Sequence, residues 1–512
     1  MEENSIKSYH VFLYPFLIKD ESIKWGGNWN QWSISSIEDN PQTAMDDYMV
    51  GQYFNVEARN LFQNEEAEGC KRYKYNEKIV HESKYVIDTY NSIDSNRNNF
   101  YIYKLPIRDI ELFVFHNNVG ILKIEIENRI TDTLADIRRI NEYGRRIILP
   151  YIPRANNEVD INGHILCAGK LGVEFKGNQR FVKNFRDCLN GWNKYSCVDY
   201  KAPDFIYALL LGEYGNDIDD KLFEENVLNL REKMQADIDD RMYVCSLVKN
   251  DDLAKIAKRW EQLNINSKEQ KEFYTLAYAN DNEASCQNPK MRKKLLDKAV
   301  YTRWSDYGTL YSVTNSVFLC TTSTNESKIK ESVIRPFITE YCLMVILVLA
   351  QKVSITDFSQ QAAECSSNEN LLADKSIRLH ENYVRWDNRE YLVEITEQEQ
   401  GIDIYRLLQE QLGVQVRMER LQGQLQRLYT IANVKQGNKL NRIAANVSIT
   451  AILLALFAIF VDITLNLPNL FDGSDGRGNF DMLGYIIAAF LIVEIYESCK
   501  KVIRCKKELK GE

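Results

Sequence analysis

The chain has 512 residues, of which 45% are hydrophobic and 27% are charged, and its formal net charge is -8. This length exceeds what one hydrophobic core usually supports, so we expect two or more structural units. The absence of a basic excess argues against nucleic acid as a direct partner. The eleven cysteines form no CxxC pair and no zinc-like spacing with histidine, which indicates reduced thiols in a reducing compartment.

Alternating apolar residues predict paired strands in the N-terminal two thirds of the chain. Ile110–His116 and Gly120–Glu127 alternate on either side of an Asn-Asn dipeptide, as in a β-hairpin, and Thr131–Tyr143 then has helical periodicity. A second pair of strands is predicted within Tyr307–Thr322, which is rich in Tyr, Thr, Val and Phe. With the helical segments that follow, these elements predict an α+β body. No signal-like segment opens the chain, so we expect this body to be cytoplasmic.

The best candidates for ligand binding are the arginines around the end of the predicted helix 131–143. Arg138, Arg139, Arg145 and Arg146 carry guanidinium forks, which suit phosphate. Solvated charges or salt bridges between subunits are the alternative, because the dipole of a helix also favours arginines at its C-terminus. In an acidic loop further on, Asp219 and its neighbours could hold ribose hydroxyls or a cation, although such loops are usually only solvated.

The sequence offers no positive support for catalysis. The five histidines show no metalloprotease spacing and no evident nucleophile partner, and neither a Walker A motif nor a dinucleotide fingerprint is present. We therefore expect neither an enzyme nor a cofactor required for catalysis.

A long helix is predicted in the C-terminal third. Ile338–Ala350 is apolar but too short to span a bilayer, so it predicts a buried helix. Beyond it, apolar residues alternate at three- and four-residue steps, as in a coiled-coil seam, and the absence of proline over Glu397–Leu467 predicts one unbroken helix, roughly 100 Å long. The seam favours a symmetric oligomer, with packing against the chain's own body as the alternative. The seam positions are Ile404, Leu407, Gln411, Val414, Met418, Leu421, Leu425, Leu428 and Ala432.

The end of this helix is predicted to cross a membrane. Ala444–Leu465 is long and apolar enough to span it, and a second apolar run from Met482 to about Cys499 predicts a second span. Basic residues precede the first span and follow the second, so both termini should be cytoplasmic, as in a multi-pass protein of the cell inner membrane.

Polar and small residues on the first span predict a pore. Ser448, three alanines and Asp462 share one face, and in an oligomer Asp462 would form a ring of carboxylates near the outer mouth. Close helix packing explains the alanines equally well, and Asp462 could instead reach the outer interface. Phe457, with Leu453 and Phe460, is a candidate hydrophobic gate if the other face turns inward.

These segments give the following predicted organisation: 1–330 a ligand-sensing α/β domain, 331–396 a helical subdomain, 397–443 a stalk helix, 444–467 the first span, 468–481 an outer loop, 482–499 the second span and 500–512 a basic tail.

The order of these segments resembles the CorA superfamily, most firmly from Glu397 onward. Members of that family are homopentameric cation channels whose first membrane helix lines the pore and ends in a Gly-Met-Asn motif. This chain has Thr464-Leu465-Asn466 there, so only Asn466 has a counterpart. The resemblance therefore does not carry over the magnesium selectivity that goes with the Gly-Met-Asn motif.

Two further stretches are similar to the CorA-like proteins found with type III CRISPR systems: Arg303–Thr309 and Tyr391–Tyr405. This resemblance implies a homo-oligomer, a pentamer, that lies in membrane lipid and is opened by a nucleotide messenger. The messenger would be a conjugate of S-adenosylmethionine with AMP (SAM-AMP), whose phosphate would meet Arg145 and Arg146. The expected function is thus a ligand-gated channel that acts as an antiviral effector. The alternatives are a transporter of Mg²⁺ or another divalent cation, and a membrane-tethered receptor without a pore.

Overall fold

The computed structural model describes residues 5–20, 23, 25, 31–34, 48–63, 69–89, 101–147, 151–153, 159–161, 168–175, 182–184, 204–212, 220–236, 241–264, 267–281, 283–325, 330–367, 372–466, 489–490, 492–498, 500–501 and 503. These residues divide into two compact units. The first comprises Met1–Phe358 and Tyr383–Arg420, and the second comprises Ser359–Asn382 and Leu421–Glu512.

The first unit is built on a large mixed sheet. Its strands are β1 (Ser8–Ile18), β2 (Trp32–Ile34), β3 (Cys70–Tyr75), β4 (Ser83–Asp88), β5 (Ile102–Phe115), β6 (Val119–Asn128), β9 (Lys170–Phe175), β10 (Val182–Asn184), β11 (Met234–Ala236), β12 (Tyr243–Lys249), β13 (Val300–Tyr301), β14 (Leu310–Val313) and β15 (Val317–Thr322), whereas β7 (Tyr151–Pro153) and β8 (Val159–Ile161) pair separately. The main strand order is β10-β9-β4-β5-β6-β1-β12-β15-β14-β13, with β3 against β5 and β11 against β1. Strands β12 and β15 run parallel, while the other pairs are antiparallel.

Strand β1 lies at the centre of this sheet. It pairs with β6 along Ser8–Leu17, and its other edge pairs with β12 as far as Leu13 and with β11 from Phe16. Proline lacks the backbone N–H that a ladder needs, and Pro15 lies where the neighbouring strand changes from β12 to β11. The exchange of strands therefore leaves a gap beside Pro15 in an otherwise continuous sheet.

Helices cover both faces of the sheet. They are α1 (Val56–Gln63), α2 (Glu77–Val80), α3 (Leu134–Gly144), α4 (Asp204–Leu211), α5 (Asp220–Glu232), α6 (Asp251–Lys258), α7 (Lys268–Ala277), α8 (Pro289–Ala299), α9 (Cys342–Ser367), α10 (Leu372–Arg389), α11 (Glu399–Gln411) and α12 (Val414–Asn466). Residues of α3, α4, α6 and α7 join one face of the strands in a single apolar core. On the opposite face the rings of Phe318 and Phe337 stack with centroids 5.1 Å apart, just before α9 begins.

The predicted strands and the predicted helix 131–143 are confirmed. Strands β5 and β6 pair antiparallel, and Asn118 takes a positive φ of 64° in their turn. Strands β14 and β15 form the second predicted pair, and the hydroxyl of Thr133 accepts a hydrogen bond from the N–H of Asp136 at the start of α3. The first unit is an α/β part with a mixed sheet, which contains the strands and helices that the periodicities predicted for an α+β body.

The apolar run 338–350 lies in a longer helical segment than expected. Ser332–Ser366 is long and apolar enough to cross a membrane, yet 83% of its most apolar window is buried inside the protein. Leu347 and Val348 are fully buried, and the N–H of Gln351 Nε2 donates to the Tyr405 hydroxyl at 3.1 Å. Burial of this extent is typical of a core helix, which agrees with the prediction of a buried helix.

The predicted single helix from Glu397 was wrong at one point. Helix α11 ends at Gln411, and α12 begins at Val414 after Gly413, which has a φ of +68°. Glycine adopts this left-handed conformation readily, so Gly413 ends the first helix as a glycine cap does. From Val414 onward α12 runs without a break to Asn466 and includes the described part of the predicted first span.

The predicted seam is buried within this single chain. Val414, Met418, Leu421, Leu425 and Ala432 are each 3% exposed or less. In the second unit the His380 ring of α10 stacks on the Tyr429 ring of α12, with centroids 4.4 Å apart. The alternative of packing against the chain's own helices thus accounts for the seam as far as Ala432.

Beyond Ala432 many apolar side chains of α12 are exposed. Val414–Ile459 contains a window apolar enough to cross a membrane, and none of that window is buried. The large side chains that are 49–60% exposed are Val447, Ile449, Ile452, Leu454, Leu456 and Ile459. The predicted second span 482–499 lies mostly outside the described residues, although those described between 489 and 503 are helical.

Candidate functional site

Arg138 and Arg139 are held by partners on the α7 side of α3. The guanidinium of Arg138 donates to the Asp281 carbonyl oxygen at 2.9 Å. The guanidinium of Arg139 lies 3.8 Å from the Tyr101 ring centroid and 3.0 Å from an Asp136 carboxylate oxygen. These contacts tie α3 to neighbouring segments, so both arginines have a structural role.

Arg145 and Arg146 share one carboxylate at the other end of α3. The two oxygens of Glu142 are divided between them, one at 2.8 Å from Arg145 Nη2 and the other at 2.5 Å from Arg146 Nη2. Glu142 and Arg145 are 3% and 2% exposed. Arg145 uses its Nε–Nη2 edge for Glu142, and Nη1 lies on the other side of the guanidinium. Arg145 is therefore held rigidly while part of its donor capacity remains.

Arg145 lines a cavity of about 640 Å³ in the first unit. Three more basic side chains line the same cavity: Arg241 before β12, Lys352 on α9 and Arg417 on α12. None of the residues described as lining it is acidic. We call this space the cationic cavity and define it by Arg145, Arg241, Lys352 and Arg417.

The position of the cationic cavity follows from two irregularities of the fold. Pro15, Ala236 and Met242 line it where β1 exchanges β12 for β11, and Leu412 and Gly413 line it where α11 gives way to α12. A backbone hydrogen bond from the Met242 N–H to the Arg145 carbonyl oxygen, 2.8 Å long, fixes the end of α3 beside β12. The cationic cavity thus lies between the gap beside Pro15 in the sheet and the break between α11 and α12.

The positive charges around this cavity repel one another. Burial is the main cause that lowers the pKa of the Arg145 guanidinium, and the neighbouring cations Arg241 and Arg146 lower it further, against the effect of Glu142. The backbones of Arg146 and Arg241 form an isolated antiparallel bridge, which places Arg241 beside the end of α3. An anion in the cavity would relieve this repulsion, since guanidinium groups bind phosphate and carboxylate through paired hydrogen bonds.

A second cavity, of about 290 Å³, contains a balanced set of charges instead. Buried Glu111 of β5 accepts hydrogen bonds from Arg72 at 2.6 Å and from Lys123 at 2.7 Å, and Lys123 also lies 3.0 Å from Glu125. Burial and the Glu111 charge raise the pKa of Asp109 there to about 7. Because these ion pairs satisfy one another, this cluster is best explained as a support for strands β3, β5 and β6.

The predicted pore residues lie on or near the exposed part of α12. Ser448 and Asp462 are exposed and Phe457 is partly exposed, while Thr464 and Asn466 lie on the same helix but their side chains are outside the described residues. Asp219 is also outside the described residues, immediately before α5.

Sequence reasoning identified Arg145 but missed Arg241, Lys352 and Arg417. These three are far apart in the chain and follow no motif, so no spacing could have grouped them. Arg417 had one signal in the sequence, because it lies on the polar side of the predicted seam, one helical turn after Gly413.

A scan against protein-family models, a search of curated proteins and a search of solved structures each found no match for this chain.

Proposed function

We propose that the protein is an oligomeric CorA-like membrane ion channel, gated by a cytoplasmic nucleotide second messenger and acting as the antiviral effector of a type III CRISPR system. One observation carries this proposal. Helix α12 begins at the cationic cavity and continues without a break into an apolar segment of which no part is buried. A helix of this kind connects a site for an anion directly to a membrane segment.

The membrane part of the proposal follows from the exposed surface of α12. Soluble proteins rarely expose apolar patches larger than a few hundred Å², and such patches mark surfaces for lipid or protein. Residues 447–459 expose apolar side chains over most of the helix surface, leaving only the stripe through Thr450, Leu453 and Phe457 more covered, as a helix that borders lipid does. Lipid is therefore the surrounding that this segment fits.

The channel part requires assembly. One or two spanning helices have too little wall to enclose a pore, so several copies of α12 must surround it. Ser448, Asp462 and, further along, Asn466 would then line the path, with the carboxylates of Asp462 attracting cations. Because the seam as far as Ala432 is already buried within one chain, we place the contact between copies in the membrane part of the chain.

Ion flux through the purified protein in liposomes tests the proposal. We expect flux that depends on SAM-AMP and is not elicited by AMP or S-adenosylmethionine alone, together with a defined oligomer by native mass spectrometry. Asp462→Asn should change cation conductance while leaving SAM-AMP binding intact. Flux that responds to Mg²⁺ removal and not to SAM-AMP would indicate a divalent-cation transporter, and binding without any flux would indicate a tethered receptor.

A further inference from the structure

We propose that the cationic cavity is the binding site for a nucleotide-class polyanion, held between the body residues Arg145 and Arg241 and the α12 residue Arg417. The four basic side chains that define the cavity come from four separate segments of the chain. Bringing them together costs electrostatic free energy, and a carboxylate among the lining residues would offset that cost. The described residues that line the cavity include no carboxylate, so an anion bound there would add favourable contacts with these basic side chains.

The size and lining of the cavity indicate the class of ligand. A volume of about 640 Å³ lies within the roughly 300–1,000 Å³ of pockets that hold nucleotide-sized molecules. Leu349 and Val353 offer an apolar wall for a base, and Asn315 and Ser316 offer hydrogen-bonding groups for a sugar or base edge. Inorganic phosphate alone would leave most of this space unfilled.

The N-terminus of α12, together with the basic side chains, sets the position of the phosphate. The first N–H groups of an α-helix have no partner within the helix, and its N-terminus carries partial positive charge. Leu412 and Gly413, which directly precede the first turn of α12, line the cavity together with Arg417 on that turn. A phosphate there would meet the helix dipole and the Arg417 guanidinium at the same place.

Binding at this position would also act on the break between α11 and α12. Arg417 belongs to α12, whereas Arg145 and Arg241 belong to the sheet and its loops, so a ligand that contacts all three holds the start of α12 against the body. This regulatory step rests on the proposed function. Holding the start of α12 in place can change ion flux only if α12 is part of a membrane channel. The binding site itself does not depend on it.

Arg417 is the residue to change in a test. Arg145 is buried against Glu142 and its loss would disturb folding, but Arg417 is exposed and makes no ion pair within the described part of the chain. Arg420 is a matched control, because it is an exposed arginine on the same helix that does not line the cavity. Full-length protein in neutral detergent would be titrated with SAM-AMP, AMP and inorganic pyrophosphate by isothermal calorimetry.

We expect Arg417→Ala to weaken binding of the phosphate-bearing probes about ten-fold or more, and Arg417→Glu to weaken it further. Arg420→Ala should bind as the natural chain does, and Arg417→Lys should recover part of the affinity. Equal affinities for the Arg417→Ala and Arg420→Ala variants would overturn the proposal. So would saturable binding only of anionic lipid headgroups, measured by comparing nanodiscs of neutral and of anionic lipid.

Flux measurements separate this proposal from the proposed function. Loss of binding in Arg417→Ala without any SAM-AMP-dependent flux in the natural chain supports the site and rejects the channel. SAM-AMP-dependent flux that is unchanged in Arg417→Ala supports the channel and rejects the site.

Discussion

At the scale of single residues, several buried charges in the described part of the chain are paired, as Glu111 is with Lys123, and others have a shifted pKa. Glu390 at the end of α10 is the clearest case of a shift, since it is 2% exposed. Burial raises the pKa of the Glu390 carboxyl to about 8, and the backbone N–H groups of Asn117 and His116 offset only part of that rise. The folded protein therefore keeps this carboxyl protonated at a pH where the unfolded chain has ionised it.

This shift predicts how stability depends on pH. Between the ordinary pKa of a glutamic acid and about 8, the folded state binds the extra proton, so the contribution of Glu390 to stability falls as pH rises, by up to about 1.4 kcal/mol per pH unit. Glu390→Gln mimics the protonated form and should lose this dependence. Thermal unfolding followed by tryptophan fluorescence at pH 5.5 and pH 8 would show the variant gaining in Tm relative to the natural chain at the higher pH.

Glu394→Gln provides the control for that measurement. Glu394 is exposed and lies 3.3 Å from Arg406, so its loss should change Tm little at either pH. A difference between Glu390→Gln and the natural chain that is the same at both pH values would contradict the assignment of a raised pKa.

At the scale of elements, the break between α11 and α12 decides where the long helix begins. The seam pattern continues across it, because Gln411 and Val414 keep the three-residue step, and periodicity therefore gave no sign of an interruption. By sequence alone Gly413 is compatible with one continuous helix, which an internal glycine only weakens. Its positive φ makes it the end of one helix instead.

Two glycines of this region should respond to alanine with opposite signs. A Cβ at Gly413 or at Gly437 would meet nothing within 4 Å, so steric contact plays no part at either position. Gly413→Ala places a side chain at a φ of +68° and should destabilise the protein by about 1–2 kcal/mol. Gly437→Ala lies inside α12 and should stabilise it by about 0.5–1 kcal/mol.

Chemical unfolding of the two variants in detergent, with helicity followed by circular dichroism, measures both effects. Stabilisation by Gly413→Ala would mean that the alanine joins α11 and α12 into one helix, which would contradict the geometry of the break described here.

At the scale of the whole molecule, two helices within the described residues have the length and composition of a membrane span, and only their surroundings distinguish them. Ser332–Ser366 is largely buried, whereas the apolar window of Val414–Ile459 is not buried at all. The membrane span of the proposed channel is therefore the second helix.

An arginine placed on each helix tests that assignment. Leu454→Arg should oppose insertion by about 2.5–3.5 kcal/mol and shift protein from the carbonate-resistant membrane fraction to the soluble or aggregated fraction. Leu347→Arg buries an unpaired charge in the body and should prevent folding of the first unit while leaving the chain in the membrane. Limited proteolysis of the membrane fraction reports on folding. The reverse pattern would assign the membrane to the first helix.

Several features of this protein were determined by sequence alone, because they depend on local periodicity. The β5–β6 hairpin, helix α3, the β14–β15 pair and the buried character of residues 338–350 each follow from alternation or apolar content within one segment. The long apolar end of α12 follows from the same kind of pattern.

Other features were decided only by the tertiary structure, because they depend on residues far apart in the chain. The seam of α12 is buried within its own chain as far as Ala432. The sequence could not decide this, because an apolar stripe has the same pattern whichever partner covers it. Arg138 and Arg139 bind neighbouring segments, while Arg145 joins Arg241, Lys352 and Arg417 around one cavity. That grouping exists because β1 exchanges its neighbouring strand beside Pro15 and because α11 ends at Gly413, and neither event leaves a periodic trace in the sequence.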